Sequence, residues 1–193
     1  MSMTDAGQVL ELLLQAARLK WVPRSGWLMR GVPDPESVAE HSWGTAFLAL
    51  VLSASVDEPL DRGKLLTIAL LHDLPEAVLS DVPTPATPYF PPAAKREAEG
   101  RVLADLFAGL PGDEPWLACW EEFEAGSTPE GRLVQDVDRL EMLLQAYLYE
   151  TNRGSRLAEF WQGQSQRSFH FAVSQAVYCA LCERRAAALA GAG

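Results

Sequence analysis

Apolar residues recur at three- and four-residue spacing along almost the whole chain, and what interrupts them is proline and glycine rather than alternation. Val9, Leu10, Leu13, Leu14 and Ala17 make such a stripe over residues 6–19. Glu36 to Ser55 reads as a long apolar helix. Asp61, a suitable N-cap, opens another that runs to Ser80 and should kink at Pro75. Helices are expected at 93–109 and 114–125, joined at LPGDEP, and at 128–150, with Thr128 as N-cap, Pro129 at the first helical position and a stripe of Leu133, Val137, Leu140 and Leu144. A turn at 152–156 precedes helices at 157–163 and 168–190. Residues 20–35 are a loop, and 81–92, DVPTPATPYFPP, are too proline-rich for a helix or a central strand and make an ordered loop or a lid. No strand pattern of useful length, internal repeat or dividing linker interrupts the series. The expectation is one all-α domain over 1–193.

Its 193 residues can bury a sizeable core, roughly 70% of the surface exposed when unfolded. The formal net charge of -10 offers no general attraction for nucleic-acid phosphates. An anionic substrate would need a local reversal of that field by a cation and a few basic side chains. Three cysteines without framework spacing argue against a secreted disulfide scaffold. The amphipathic start is unlike a signal peptide, and no apolar run approaches the ~20 residues of a membrane span. A cytoplasmic protein without membrane or nucleic-acid partners is expected. Cys179 and Cys182 lie in an alanine-rich helical run and read as two small residues of a packing face.

The histidines are His41, His72 and His170. His41 follows Glu40, and His72 precedes Asp73 inside an apolar helical run. An ionised Asp there is costly unless it is paired or binds a metal. Imidazole nitrogen and carboxylate oxygen are metal donors at ~2.0–2.2 Å, so one ion could sit between them; a local His–Asp hydrogen bond is the competing reading. Glu76 shares the His72–Asp73 helix face at i+4 and i+3, and Asp81 opens the proline loop. Taken alone, these two read as a solvated charge and a turn residue. Asp136, Asp138 and Glu141 cluster in a later helix, and periodicity does not separate Asp136 from Asp138.

The order His41, His72-Asp73, Asp138 resembles the H…HD…D signature of the HD-domain phosphohydrolases. The blocks LKWVPRSGWLMRGVPDPESVAEHS, LLHDLPEAVLSDVPTP and VQDVDRLEMLLQAYLYE, covering much of 19–150, are similar to those of the HD-domain 5'-deoxynucleotidases. This resemblance implies a single-domain HD helical bundle that releases phosphate from nucleoside 5'-monophosphates. It implies His41, His72, Asp73 and Asp138 as ligands of one divalent ion per site, with Mn, Co, Fe, Mg and Zn not distinguished. It gives Glu76 the attacking water and Asp81 the leaving-group side, Arg24 the phosphate, and Asp81, Val82, Pro83 and Thr84 the nucleotide. It also implies a homodimer. Bacterial members carry tryptophan directly after the arginine; here Arg24-Ser25-Gly26-Trp27 displaces it, so Trp27 is either a displaced substrate contact or loop packing. Lys20, Arg24 and Arg30 form an acid-free basic run suited to an anionic substrate. The rival readings are an HD-type phosphodiesterase, a nucleotide pyrophosphohydrolase, and a non-catalytic helical binding module.

Overall fold

The computed structural model describes residues 6–91, 93–110, 113–164 and 168–191, with the backbone alone at Thr84, Asp113 and Glu114. Among the described residues, ten α-helices span Ala6–Ala17 (α1), Ser25–Leu28 (α2), Val38–Leu52 (α3), Arg62–Leu71 (α4), Glu76–Leu79 (α5), Ala94–Phe107 (α6), Asp113–Ala125 (α7), Pro129–Arg153 (α8), Ala158–Trp161 (α9) and Ala172–Gly191 (α10). Short 3-10 turns occupy Arg18–Trp21, Ser53–Ser55 and Thr84–Tyr89, and among the described residues no strand forms. The all-α, single-domain helical bundle expected from the sequence is the observed fold. The joint expected at 110–115 lies partly outside the described residues. No helix among those described is long and apolar enough to cross a membrane.

The helix starts follow the chemistry of orphan backbone donors. Asp61 accepts from Lys64 N (3.1 Å) and Thr128 from Gly131 N (3.2 Å). A capping box at Ser37 and Glu40 starts α3 at Val38, two residues after the expected start at Glu36.

The expected continuous helix over 61–80 is broken rather than kinked. Pro75 has no N–H to give the Leu71 carbonyl, and its ring would collide with that carbonyl. Leu74 N takes the Leu71 oxygen instead at 3.1 Å, residues 72–75 turn, and α5 starts at Glu76.

Helix α3 packs on both α4 and α8. Between them, with the start of α10, lies a core of Ala49, Leu65, Ile68, Leu133, Val137 and Leu140, closed by Phe169 and Phe171. Leu19, Val38, Leu74, Leu103, Phe107 and Trp120 make a second cluster, and Trp27, Val32, Ala146, Tyr149 and Leu157 a third.

Three expected faces turn out differently. On α1, Leu10, Leu13 and Leu14 face outward, more than half exposed, and Leu12 and Ala16 do the packing. On α8 the buried row continues through Leu143 and Ala146, and Leu144 is exposed. On α10, Cys179 is exposed, and Ser174 and Leu181 are the buried residues. The helix expected at 168 begins at Ala172, because Asp136 holds the preceding backbone: its two oxygens accept from His170 N (2.9 Å) and Phe171 N (3.0 Å).

Helices α7 and α8 come close at Gly131, where an added Cβ would lie 2.5 Å from the Glu122 carbonyl oxygen. Gly131→Ala must therefore separate the two helices. A cost of about 2 kcal/mol is expected, as for other overpacked sites, read as a fall of roughly 4–8 °C in the thermal midpoint.

Candidate metal centre

Three elements bring the site together. His41 comes from the first turn of α3, His72 and Asp73 from the turn that ends α4, and Asp138 and Glu141 from the middle of α8. An isolated antiparallel bridge between Pro23 and Ser37 lays the segment containing Arg24 beside the start of α3. Arg24 N donates to Glu36 O (3.0 Å), and Val38 N donates to Val22 O (2.8 Å).

His41 Nε2 lies 3.4 Å from His72 Nε2, 3.5 Å from Asp73 Oδ2 and 3.0 Å from Asp138 Oδ1. His72 Nε2 is 3.3 Å from the same Asp73 oxygen. Donor atoms of His41, His72 and Asp73 all fall within 4.8 Å of one another. Both rings are buried, whereas Asp73 and Asp138 keep 19% and 36% of their side-chain surface exposed, so the cluster opens to solvent on the carboxylate side.

The rings' outer partners fix their tautomers. His72 Nδ1 lies 2.8 Å from Ala69 O, a group that can only accept, so Nδ1 carries the proton. His41 Nδ1 sits 2.5 Å from Glu141 Oε2, and the same assignment follows for an ionised carboxylate. When both rings are neutral, their two Nε2 lone pairs face one another beside the Asp73 and Asp138 carboxylates. That is the donor set of a divalent-cation site, with outer hydrogen bonds orienting each imidazole.

Without a cation, the electrostatics favour protonated rings. Burial and Arg24 push the His41 pKa down, but hydrogen bonds to Asp138 and Glu141 outweigh them and raise it to about 10. Protein groups alone thus favour a positive charge between the carboxylates. Burial opposes ionisation of Asp73, yet His72, His41 and Arg24 hold its carboxyl far below the ordinary range. Asp138 is also lowered, burial being outweighed by His41 and His72. Arg24 donates Nη1 to Asp73 Oδ2 at 3.1 Å; burial weakens its charge, and the surrounding carboxylates Asp73, Asp138, Asp81 and Glu76 more than restore it.

Glu76 heads α5 and is buried, with Oε2 lacking a protein partner. Burial, then Asp73 and Asp81, push its pKa up to about 9. Asp81 lies at the other end of α5, and its Oδ2 accepts from Ser25 N (2.6 Å) and Ser25 Oγ (2.9 Å), which pins the turn carrying Arg24. Val82 and Pro83 continue from it, half-buried, while the side chain of Thr84 lies outside the described residues.

Some expected residues lie elsewhere. Trp27 is 1% exposed, edge-on to Tyr149 and stacked near Phe160, and its Nε1 donates to Glu36 Oε1 (2.9 Å). It supports the Arg24 turn from inside the core and is not an exposed substrate contact. The basic run splits up: Arg24 faces the cluster, Arg30 pairs with Glu159, and Lys20 lines a separate surface groove with Trp43. His170 is exposed beside Gln135. Sequence reasoning missed the orienting role of Glu141, the Ser25 anchor for Asp81, and Lys95, which pairs with Glu99 (2.8 Å) and is influenced by Glu76 and Asp73. Glu141 lies at i+3 from Asp138 on the same helix, a spacing that could have pointed to it.

A helical bundle that brings donor atoms of two imidazoles and Asp73 within 4.8 Å of one another, with Asp138 3.0 Å from His41, fits the HD-domain class, and the family model described as HD domain matches residues 16–176. The chain belongs to the HD-domain family. It is 35% identical over 190 residues to the 5'-deoxynucleotidase HDDC2 of Bos taurus, covering 96% of this chain and 90% of that protein. The Homo sapiens 5'-deoxynucleotidase HDDC2 is 32% identical over 176 residues, covering 89% and 84%. Among solved structures, a conserved hypothetical protein from Pyrococcus furiosus superposes with a TM-score of 0.77 at 37% identity, covering 91% of this chain and 98% of that one. A chain from Magnetospirillum magnetotacticum, titled a predicted metal-dependent phosphohydrolase, has a TM-score of 0.71 at 25% identity, covering 95% and 98%.

Gly44 lies one turn beyond His41, and a Cβ there would lie 2.9 Å from Glu141 Cγ and Oε1. Gly44→Ala should push the carboxylate off His41 Nδ1 and leave a buried donor unpaired, at about 1–3 kcal/mol. The nitrogen-15 shifts of the His41 ring would report the lost bond, and unchanged shifts would show that Glu141 does not set the tautomer.

Proposed function

We propose that this chain is a divalent-metal-dependent phosphomonoesterase that releases phosphate from nucleoside 5'-monophosphates, with His41, His72, Asp73 and Asp138 holding one cation per site. The observation that carries this reading is the two buried Nε2 atoms facing each other beside Asp73 and Asp138, which a cation would meet as neutral donors. The names of the curated relatives support the substrate class.

A bound cation of this kind supplies Lewis acidity toward a phosphoryl oxygen and lowers the pKa of a coordinated water. The chain's own groups do the rest. Arg24 exchanges part of its contact with Asp73 for a phosphate oxygen, which offsets the repulsion expected from a chain of net charge -10. Glu76, buried three residues from Asp73 with one oxygen unpartnered, takes the proton of the attacking water. Its raised pKa reflects burial and the Asp73 and Asp81 charges; a cation close by favours the ionised form that a base needs. Asp81 holds Ser25 with Oδ2, and its other oxygen is left for the leaving-group side, with Val82, Pro83 and Thr84 following along the nucleotide. A homodimer is part of this reading; the outward apolar faces of α1 and of Trp43 and Phe47 on α3 are surfaces that could serve it.

The test couples metal content to phosphate release. Wild-type protein should carry about one divalent ion per chain and release phosphate from dAMP, AMP or dTMP with Mn, Co or Mg added singly, but not from cyclic or triphosphate nucleotides. His72→Ala and Asp73→Ala should lose both metal and activity. Glu76→Gln should keep the metal while kcat falls by about 10²–10⁴. Full activity in a variant that elemental analysis finds free of metal would end this reading.

A further inference from the structure

Arg24 is held on both sides. Before it, the Pro23–Ser37 bridge and the 3.0 Å bond from its own N–H to Glu36 O tie the backbone to the start of α3. After it, Ser25 gives both of its donors to one atom: its backbone N lies 2.6 Å and its Oγ 2.9 Å from Asp81 Oδ2. This pair joins segments 56 residues apart in the chain. On the far side, Asp81 follows Ser80, whose left-handed φ of 62° ends α5, the helix that Glu76 heads. Ser25 thus stands between Arg24, which reaches Asp73 at 3.1 Å, and the segment that carries Glu76 and Asp81.

The hydroxyl is the part of this junction that a side chain controls. Hydrogen bonds to an ionised acceptor are short and roughly twice as strong as neutral ones. Both partners here are half-buried, which strengthens the pair further by limiting competition from water. With the hydroxyl removed, the N–H alone would hold the carboxylate, over a wider range of directions. The Pro23–Ser37 bridge and the Trp27 bond to Glu36 tie the Arg24 loop to the start of α3; the Ser25 bonds tie it to the end of α5. Reacting groups tolerate little such freedom, since a misplacement of about 1 Å costs about 10²-fold in rate.

Resting on the phosphomonoesterase reading, we infer that Ser25 is a positioning residue for phosphate release: its hydroxyl locks Asp81 against the Arg24 turn and so keeps the guanidinium and the α5 carboxylates at one fixed spacing. Ser25 acts through Arg24 and Asp81 and is assigned no contact with a reacting atom. Substrate binding tolerates a loosened spacing better than the transition state does, so the effect of the hydroxyl falls on kcat more than on KM.

The test reads the bond and its consequence separately. Amide-proton NMR of the full chain reads the bond: an N–H donated to a carboxylate at this distance resonates far downfield, and Asp81→Ala should return the Ser25 signal to the ordinary range. Kinetics with dAMP and added Mn reads the consequence. Ser25→Ala should keep its metal and its KM while kcat falls about tenfold, the loss of one hydrogen bond to a charged group. Ser25→Thr keeps the hydroxyl and should restore most of kcat. A merely structural role would lower the thermal midpoint of Ser25→Ala without the selective loss of kcat or the rescue by threonine. A Ser25 signal that Asp81→Ala does not move, a wild-type kcat in Ser25→Ala, or an equal loss in Ser25→Thr would overturn the inference. A signal that does move, with no phosphate released from any mononucleotide by wild type, would overturn the phosphomonoesterase reading and leave the Ser25–Asp81 lock standing.

Discussion

The structure depends on what it takes to bury His41 among carboxylates. Its ring is fully removed from water, with Asp138 on one nitrogen, Glu141 on the other and Asp73 close by. Charges in such a place are tolerated only when they are paired and hydrogen-bonded. Arg24 supplies one fixed positive charge. The carboxylates outnumber it, and the remaining protein groups respond by holding protons: burial, with Glu141, lifts Glu36 to about 7, and burial with Asp73 and Asp81 lifts Glu76 to about 9. A site that recruits protons this strongly is one that a divalent cation would stabilise, because the cation satisfies the same carboxylates at closer range and leaves the imidazoles neutral.

The break in the chain at Pro75 makes this convergence possible. Were 61–80 one continuous helix, His72, Asp73 and Glu76 would be fixed on its surface at helical angles. Instead α4 stops at Leu71, Ala69 O accepts a hydrogen bond from His72 Nδ1, and the turn delivers Asp73 toward His41. Glu76 then starts a new helix with its side chain buried. That helix ends at Ser80, whose φ of 62° is a left-handed value that a serine adopts only when its surroundings impose it. The next residue is Asp81, clamped by Ser25. The proline, the strained serine and the clamped aspartate together fix one short helix between the metal centre and the Arg24 turn.

The chemistry of the site was more legible in the sequence than its packing. His72 and Asp73 stood out because an acid inside an apolar run needs a partner, and family resemblance joined His41 and Asp138 to them. Periodicity could not choose between Asp136 and Asp138, since both border the apolar stripe of α8. The structure separates them by what each meets: Asp138 reaches His41, and Asp136 holds the backbone ahead of α10. The stripe on α1 failed for a related reason. Spacing shows that a helix has an apolar face, but which face meets the bundle depends on neighbours distant in sequence. Trp27 was ambiguous because a tryptophan in a glycine- and proline-rich loop can serve a ligand or a core equally well. Only its contacts with Tyr149, Phe160 and Glu36 assign it to the core.

That assignment gives the displaced tryptophan a structural purpose. With Ser25 and Gly26 between it and Arg24, the indole turns inward and links the Arg24 loop to the groups around His41. Trp27 Nε1 holds Glu36 Oε1, the Glu36 N–H donates to the Tyr149 hydroxyl (2.8 Å), and Glu36 shares a 4.8 Å cluster with Glu141 and His41. Gly26 lies against Phe160 with room for ordinary contact only, so the loop closes down on α9 rather than standing off from it. The loop that presents Arg24 to Asp73 is held from below by its own tryptophan.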